Sequence, residues 1–249
     1  MLKKWILRIT SGLTVCFYMQ ISFAAVVWRP IDLGLDYAEY TNQQQSYNGT
    51  IRAFRVDLKH YRLSSAQARE IHLSFATVKK FVTENQAALG INGGFFNVSG
   101  DSLGLRINDF KVMNPLRKIS WWGVFYIRNN KPYIASNRDF ALTPSIIFAI
   151  QSGPRLIIQG SIPHLKPGID ERSALGITKD KKVIILVTDN LPLSTTELAQ
   201  IMQKQFACSD AINLDGGTSS QLYARLNTFS MNVLGLKPVA DAILVFKKK

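Results

Sequence analysis

The chain has 249 residues, enough for one large domain or two small ones. It is 47% hydrophobic and 19% charged, which excludes a disordered chain and fits a core-built globular protein that needs no disulfide staples. A formal net charge of +13 and a pI near 9.8 call for an anionic partner: nucleic acid, a lipid or polymer surface, or a phosphorylated substrate.

The chain begins with Lys3, Lys4 and Arg8, followed by an apolar run from Leu13 to Ala25. Ser22 and Ala24 supply small residues at the −3 and −1 positions of a cleavage site. This is the layout of a secretory signal peptide over residues 1–24, with the folded domain over 25–249. An uncleaved anchor is the alternative, but the run is short beside the roughly 20 residues of a membrane span. Removal of the segment takes three basic residues and no acidic ones, so +13 becomes about +10. The expected location is periplasmic or secreted, with no stable membrane span after cleavage. No zinc finger, aromatic RNA-binding signature or basic helix is visible, so nucleic acid is not the expected partner. A phosphorylated carbohydrate or envelope glycan fits an exported basic protein better. Only Cys208 survives cleavage, which excludes an intramolecular disulfide; as a lone thiol beside an apolar helix face it reads as a buried filler.

Thr41 to Asn48 is a Gln/Asn-rich loop or adapted hairpin connection. Ile51 to Leu58 alternates apolar and polar residues and reads as a half-buried strand. A short helix is expected over Thr77 to Gln86, then a strand from Ala88 to Ile91 running into Asn92-Gly93-Gly94. Three hairpins follow: Trp122–Arg128 with Lys131–Ser136, Ile146–Gln151 with Arg155–Gln159, and Ala174–Thr178 with Lys182–Thr188. The clearest helix is Thr195 to Phe206, where Ser194 and Glu197 form a capping box and Leu198, Ile201, Met202 and Phe206 recur at helical spacing. Ala211 to Leu214 is a buried strand ending at Asp215-Gly216-Gly217, and Ala240 to Phe246 is the last strand. The pattern describes one α+β domain: a compact unit with a largely antiparallel mixed sheet and a few packed helices.

No nucleophile elbow, P-loop or dinucleotide fingerprint is present, and His60, His72 and His164 are scattered. The chemistry is carried instead by three tight glycine turns, each closing a strand: Asn92-Gly93-Gly94, Gln151-Ser152-Gly153 and Asp215-Gly216-Gly217-Thr218-Ser219. Such turns let a ligand approach backbone N–H groups, which cradle oxyanions, while the flanking Asn, Gln, Asp and Ser orient sugar hydroxyls; ordinary tight turns have the same composition. Arg172 opens a strand after a Pro/Gly loop and offers a fork suited to phosphate, or a plain surface charge.

In order along the chain, Ile-Asn-Gly-Gly-Phe-Phe, Gln-Ser-Gly-Pro-Arg-Leu, Arg-Ser-Ala-Leu-Gly and Leu-Asp-Gly-Gly-Thr-Ser-Ser resemble the phosphodiester glycosidase family. The resemblance runs from about Asn48 to Phe246. It implies a compact α+β domain whose motif loops gather at one pocket, and it implicates Asn92, Gly93, Gly94, Gln151, Ser152, Gly153, Arg172, Asp215, Gly216, Gly217 and Ser219. Leu105-Arg106, Asn114-Pro115-Leu116 and Thr188-Asp189-Asn190 are secondary matches. Animal members carry disulfide-rich modules that this chain lacks, a departure that counts against their substrate here.

The implied reaction is hydrolysis of a sugar-1-phosphodiester. A phosphate already leaves as a stable anion, so acid assistance matters less than in other glycosidases. Arg172 and the turn amides are expected to hold the phosphate, and Asn92 and Gln151 the sugar. Asp215 is the expected base or nucleophile, with Asp189 or Glu171 as second carboxylate. Asp189, Asp215 and loop carbonyls have the chemistry of calcium or magnesium ligands, but no dedicated loop is visible, and neither metal nor cofactor is assigned. Two alternatives stay open: a non-catalytic binder of an anionic envelope glycan, and a nucleic-acid binder.

Overall fold

The computed structural model describes residues 26–41 and 49–248. The expected signal peptide and most of the Gln/Asn-rich loop lie outside the described residues.

The run Val183–Asp189 shows how this sequence organises its layers. Its residues Val-Ile-Ile-Leu-Val-Thr are all buried, so the strand has no solvent face. Val183, Ile185 and Val187 point into the main core, and Ile184 and Leu186 into a second cluster on the opposite face. The strand is central in a seven-stranded sheet ordered Arg29–Asp32, Leu35–Tyr40, Thr50–Val56, Val183–Asp189, Ser173–Thr178, Cys208–Asn213, Arg155–Ile157. One face of this sheet is covered by the Thr195–Lys204 helix through Leu198, Ala199 and Met202. The capping box expected from Ser194 and Glu197 is present and fixes where that helix starts. Cys208 lies in the same cluster, where burial pushes its thiol well above the usual range; it is the inert filler its setting implied.

The other face packs against two five-stranded sheets. One runs Phe229–Val233, Leu222–Leu226, Leu89–Asn92, Asp241–Lys247, Tyr61–Gln67; the other runs Lys111–Asn114, Arg106–Asn108, Ile146–Ser152, Gly123–Arg128, Lys131–Ser136. Leu89, Ile91, Ile243, Val245, Phe125, Phe148 and Ile150 complete the shared core. The Val78–Glu84 helix, capped by Thr77, covers the first of these sheets through Val78, Phe81 and Val82. A short pair, Ile169–Asp170 with Leu193–Ser194, lies outside the three. Every described strand pairing is antiparallel, as an α+β assignment anticipates.

Two of the three expected hairpins form, at 123–136 and 173–189. The third does not. Ile146–Ser152 has both edges occupied, by Arg106–Asn108 and Gly123–Arg128, while Arg155–Ile157 pairs with Cys208–Asn213 in a different sheet. The Ser152-Gly153-Pro154 turn is therefore a bridge between sheets. This is what brings it beside the other glycine turns. Asn92 ends one strand opposite Ala242, Asn213 ends another opposite Ala174, and Ser152 ends a third, so the strand ends converge.

Candidate active site

The first turn follows a strand buried along its whole length, and the Asn92 side chain is fully engaged. The Asn92 amide donates through Nδ2 to the Asp215 carbonyl at 2.8 Å, and its Oδ1 accepts from Ser173 Oγ at 2.7 Å and from Gln221 N at 3.2 Å. One side chain thus ties together the first, third and fourth motif segments. Gly93 is required by close approach: a Cβ there would overlap the Asp241 carboxylate. Asp241 in turn accepts from Arg106 Nε at 3.0 Å and from Ser102 Oγ, in an ion pair whose side chains are 1% and 2% exposed.

The second turn is built in the same way. Gln151 Oε1 accepts from Leu105 N and Arg117 N, both at 2.9 Å. Its Nε2 donates to the Arg117 carbonyl and to Asn137 Oδ1, both at 2.7 Å. Asn92 and Gln151 were expected to hold a sugar. Their amide groups are instead engaged within the protein, where they hold the turns.

The third and fourth segments differ in character. The Arg172 guanidinium donates through Nε to the Leu193 carbonyl at 2.7 Å and through Nη2 to the Gly168 carbonyl. It forms no salt bridge among the described residues. Burial pulls it below the usual guanidinium value, while the nearby Asp170 charge pulls it back up. Thr188 Oγ1 accepts from Arg172 N at 2.7 Å and donates to Glu171 Oε2, coupling the arginine's backbone to a carboxylate. The Asp215 turn docks on this segment through Gly217 N, 2.7 Å from the Glu171 carbonyl. Gly217 has φ +60° and lies against the Asp170 carboxylate, a position that disfavours any side chain.

The carboxyl groups here are electrostatically uncomfortable. Burial raises Asp215 above the ordinary aspartate value, offset in part by hydrogen bonds from Ser219 and from Gly216 N, the latter at 3.0 Å; Asp241 and Asp170 raise it further. Burial also raises Glu171, against the Thr188 and Leu191 hydrogen bonds and with Asp189 and Asp170 pushing the same way. Asp189 is placed differently: its Oδ2 accepts from Arg52 Nε at 2.8 Å, and its Oδ1 from Asn190. With Asp189 paired to Arg52, Glu171 and Asp170 are carboxyls beside the Asp215 turn that form no salt bridge among the described residues. A cleft of about 200 Å³ opens there, and its lining includes Asp170, Glu171, Thr188, Asp189, Gly217 and Leu236.

Among the described residues, six buried side-chain polar atoms have no protein partner, and five lie in or beside the motif segments: Arg106 Nη1, Trp122 Nε1, Ser152 Oγ, Asn213 Oδ1 and Ser220 Oγ. Buried polar atoms are satisfied in the great majority of cases, so each of these calls for a partner such as an ordered water or a ligand. Asp241 and Asp170 are the participants that the sequence reading passed over. Asp241 had a visible signal, a carboxylate followed by five apolar residues, Ala242 to Phe246; Asp170 had none.

The fold is antiparallel α+β, and its Asp215 turn joins the Gly93 turn on one side and the Glu171–Arg172 segment on the other. A family model described as phosphodiester glycosidase matches residues 85–246. The chain therefore belongs to the phosphodiester glycosidase family. It is 25% identical over 193 residues to an uncharacterised Escherichia coli (strain K12) protein, YigE, covering 73% of this chain and 74% of that one. Among solved structures it is similar to the catalytic domain of zebrafish N-acetylglucosamine-1-phosphodiester alpha-N-acetylglucosaminidase, with a TM-score of 0.69, 17% identity, and coverage of 90% of this chain and 87% of that one. It is also similar to a Burkholderia pseudomallei protein described as a candidate exported protein, with a TM-score of 0.57, 12% identity, and coverage of 82% and 75%. No helix among the described residues is long and apolar enough to cross a membrane.

Proposed function

We propose that this protein is an exported hydrolase that cleaves the glycosidic bond of a sugar-1-phosphodiester in an envelope or extracellular glycan. The observation that carries this reading is a pairing of opposites on adjoining segments. Arg172 is a part-buried cation without a carboxylate partner, and Asp215 and Glu171 are carboxyls that burial has raised. A sugar phosphate calls for both, because negative charge sits on the leaving group while positive charge develops at the anomeric carbon.

In the reaction, the bond between the anomeric carbon and the phosphate oxygen breaks, and the phosphate leaves with the electron pair. Arg172 holds that phosphate, because the amides of Asp215, Gly216, Gly217 and Ser219 already donate within the protein. Asp215 takes a proton from the attacking water, or attacks the anomeric carbon itself before water releases the sugar. Glu171 is the second carboxylate, set in place by Thr188. Asn92 and Gln151 act by fixing the turns on which these groups stand.

The test is release of free sugar from a panel of sugar-1-phosphodiesters by the exported protein, beside Asp215→Asn. Turnover is expected for at least one substrate, and the substitution is expected to lower kcat by roughly 100- to 10,000-fold. Near-normal turnover by a correctly folded Asp215→Asn protein defeats the residue assignment. Binding without turnover across the whole panel points instead to a glycan-binding protein.

A further inference from the structure

One surface beside the site is unused by this reading. The segment Pro115–Trp121 joins two strands and exposes Arg117, Lys118 and Trp121, the last at 54%. It holds no acidic residue, and neither basic side chain forms a salt bridge among the described residues. The loop is nonetheless held firmly. Gln151 brackets the Arg117 peptide from both sides, and Asn137 Nδ2 donates to the Arg117 and Ile119 carbonyls, both at 2.7 Å.

Trp121 is itself held. Its ring stands edge-on to Trp122 at 5.7 Å and 90°, and to Phe95 at 6.5 Å, while Phe95 and Trp122 stack at 5.1 Å. Phe95 directly follows the Gly93–Gly94 turn. A Cβ on Gly153 would meet Trp122 Cα at 3.0 Å and the Trp121 carbonyl at 3.2 Å. The Trp121–Trp122 segment therefore abuts the Gly153 turn, and the exposed indole contacts Phe95 beside the Gly93–Gly94 turn. An aromatic ring that is half exposed yet fixed in orientation loses little conformational freedom when something stacks on it. Trp122 Nε1, buried beside it, still lacks a partner.

We infer that Trp121, with Arg117 and Lys118, forms a subsite for an anionic polysaccharide: the indole takes a sugar ring and the two cations take the phosphate or carboxylate groups of neighbouring units. Charge complementarity and the place beside the glycine turns set this class of ligand. Single-stranded nucleic acid offers the same two chemistries, but its binders interleave several exposed aromatics along a basic groove, and here one stands alone. The inference rests on the proposed hydrolase reading for its role as a substrate subsite, but the binding it describes can be measured without turnover.

The experiment compares the wild-type full chain with Trp121→Ala, Trp121→Phe and Arg117→Ser/Lys118→Ser. Three probes are titrated: a polymer of hexose-1-phosphate units joined by phosphodiesters, an uncharged glucan of similar length, and a single-stranded oligonucleotide. Thermal unfolding of each variant is recorded alongside to establish that it is folded. The phosphorylated polymer should bind the wild type well ahead of the other two. Trp121→Ala and the double variant should each weaken it on the order of tenfold, with Trp121→Phe restoring most of the loss. Turnover of a small sugar-1-phosphodiester should be unchanged in all of them, while KM for the polymer rises. Equal binding of the polymer by wild type and both loss variants overturns the subsite, as does stronger binding of the oligonucleotide. Absence of turnover on every substrate, with the binding pattern intact, defeats the hydrolase reading and leaves the subsite standing.

Discussion

The Asn92 and Gln151 turns and the Asp215 turn look alike as sequence, each a strand end followed by a polar residue and glycine, yet they have opposite electrostatic characters. In the first two, a neutral amide satisfies its neighbours and is satisfied by them. In the third, a carboxyl is largely desolvated, has two other acidic groups near it, and receives too few hydrogen bonds to compensate. A neutral amide can be buried without penalty once its hydrogen bonds are made, so it serves as a fixed reference point. A reacting carboxyl has to retain unmet demand, because its strongest interaction belongs to the transition state. The same local motif holds structure in two turns and, under the proposed reaction, carries the chemistry in the third.

The sharpest way to break that contrast is through the ion pair under the first turn. Arg106→Met leaves Asp241 charged and unpaired at 2% exposure, and should cost about 3–5 kcal/mol in a denaturant titration. Turnover should fall with it, because Gly93 rests on that carboxylate. A variant as stable as wild type would show that the pair does not support the turn. Gln151→Leu should cost less, about 2–3 kcal/mol, since its partners at 115–121 reach solvent while Leu105 N does not. Hydrogen exchange should quicken in that loop first. Were kcat instead lost with stability unchanged, Gln151 would have to touch substrate, and the division between rigid and reactive turns would fail.

Periodicity made most of this fold legible. The Thr195–Lys204 helix announces itself through its capping box, and the alternation in Thr50–Val56 gives a strand in the right place. What periodicity lacks is partner choice: nothing local distinguishes Ile146–Ser152 and Arg155–Ile157 from a hairpin, because their separation depends on strands distant in sequence. The site divides in the same way. The residue types at the glycine turns and Arg172 could be read as a group, but whether an amide faces ligand or protein is decided by residues far along the chain. Asn92 meets Ser173 and Asp215, and Gln151 meets Arg117 and Asn137. Asp189 illustrates the point from the other side, since its neutraliser is Arg52.

The smallest effect is also the one with an unexpected sign. A carboxyl whose folded-state value is raised binds its proton more tightly in the native protein than in the unfolded chain. Stability therefore falls as pH rises from the ordinary carboxylate value through the raised one, and above that window the whole loss is present. Asp215 is such a group, starting from 3.8, and Glu171 another, starting from 4.5. Asp215→Asn keeps a group able to accept from Ser219 and Gly216 N but removes the buried charge, so its Tm should exceed that of wild type at neutral pH and converge with it near about pH 3. Glu171→Gln should shift in the same direction by less, because that carboxyl is less desolvated and bonded by Thr188 and Leu191. Thermal melts of the three proteins across the acid range decide the matter. A lower Tm for Asp215→Asn at neutral pH would mean that the charged form is already well satisfied in the resting protein. The Asp215 turn would then resemble the Asn92 and Gln151 turns. A higher Tm combined with lost turnover would locate in one side chain the cost in stability that the protein bears for its chemistry.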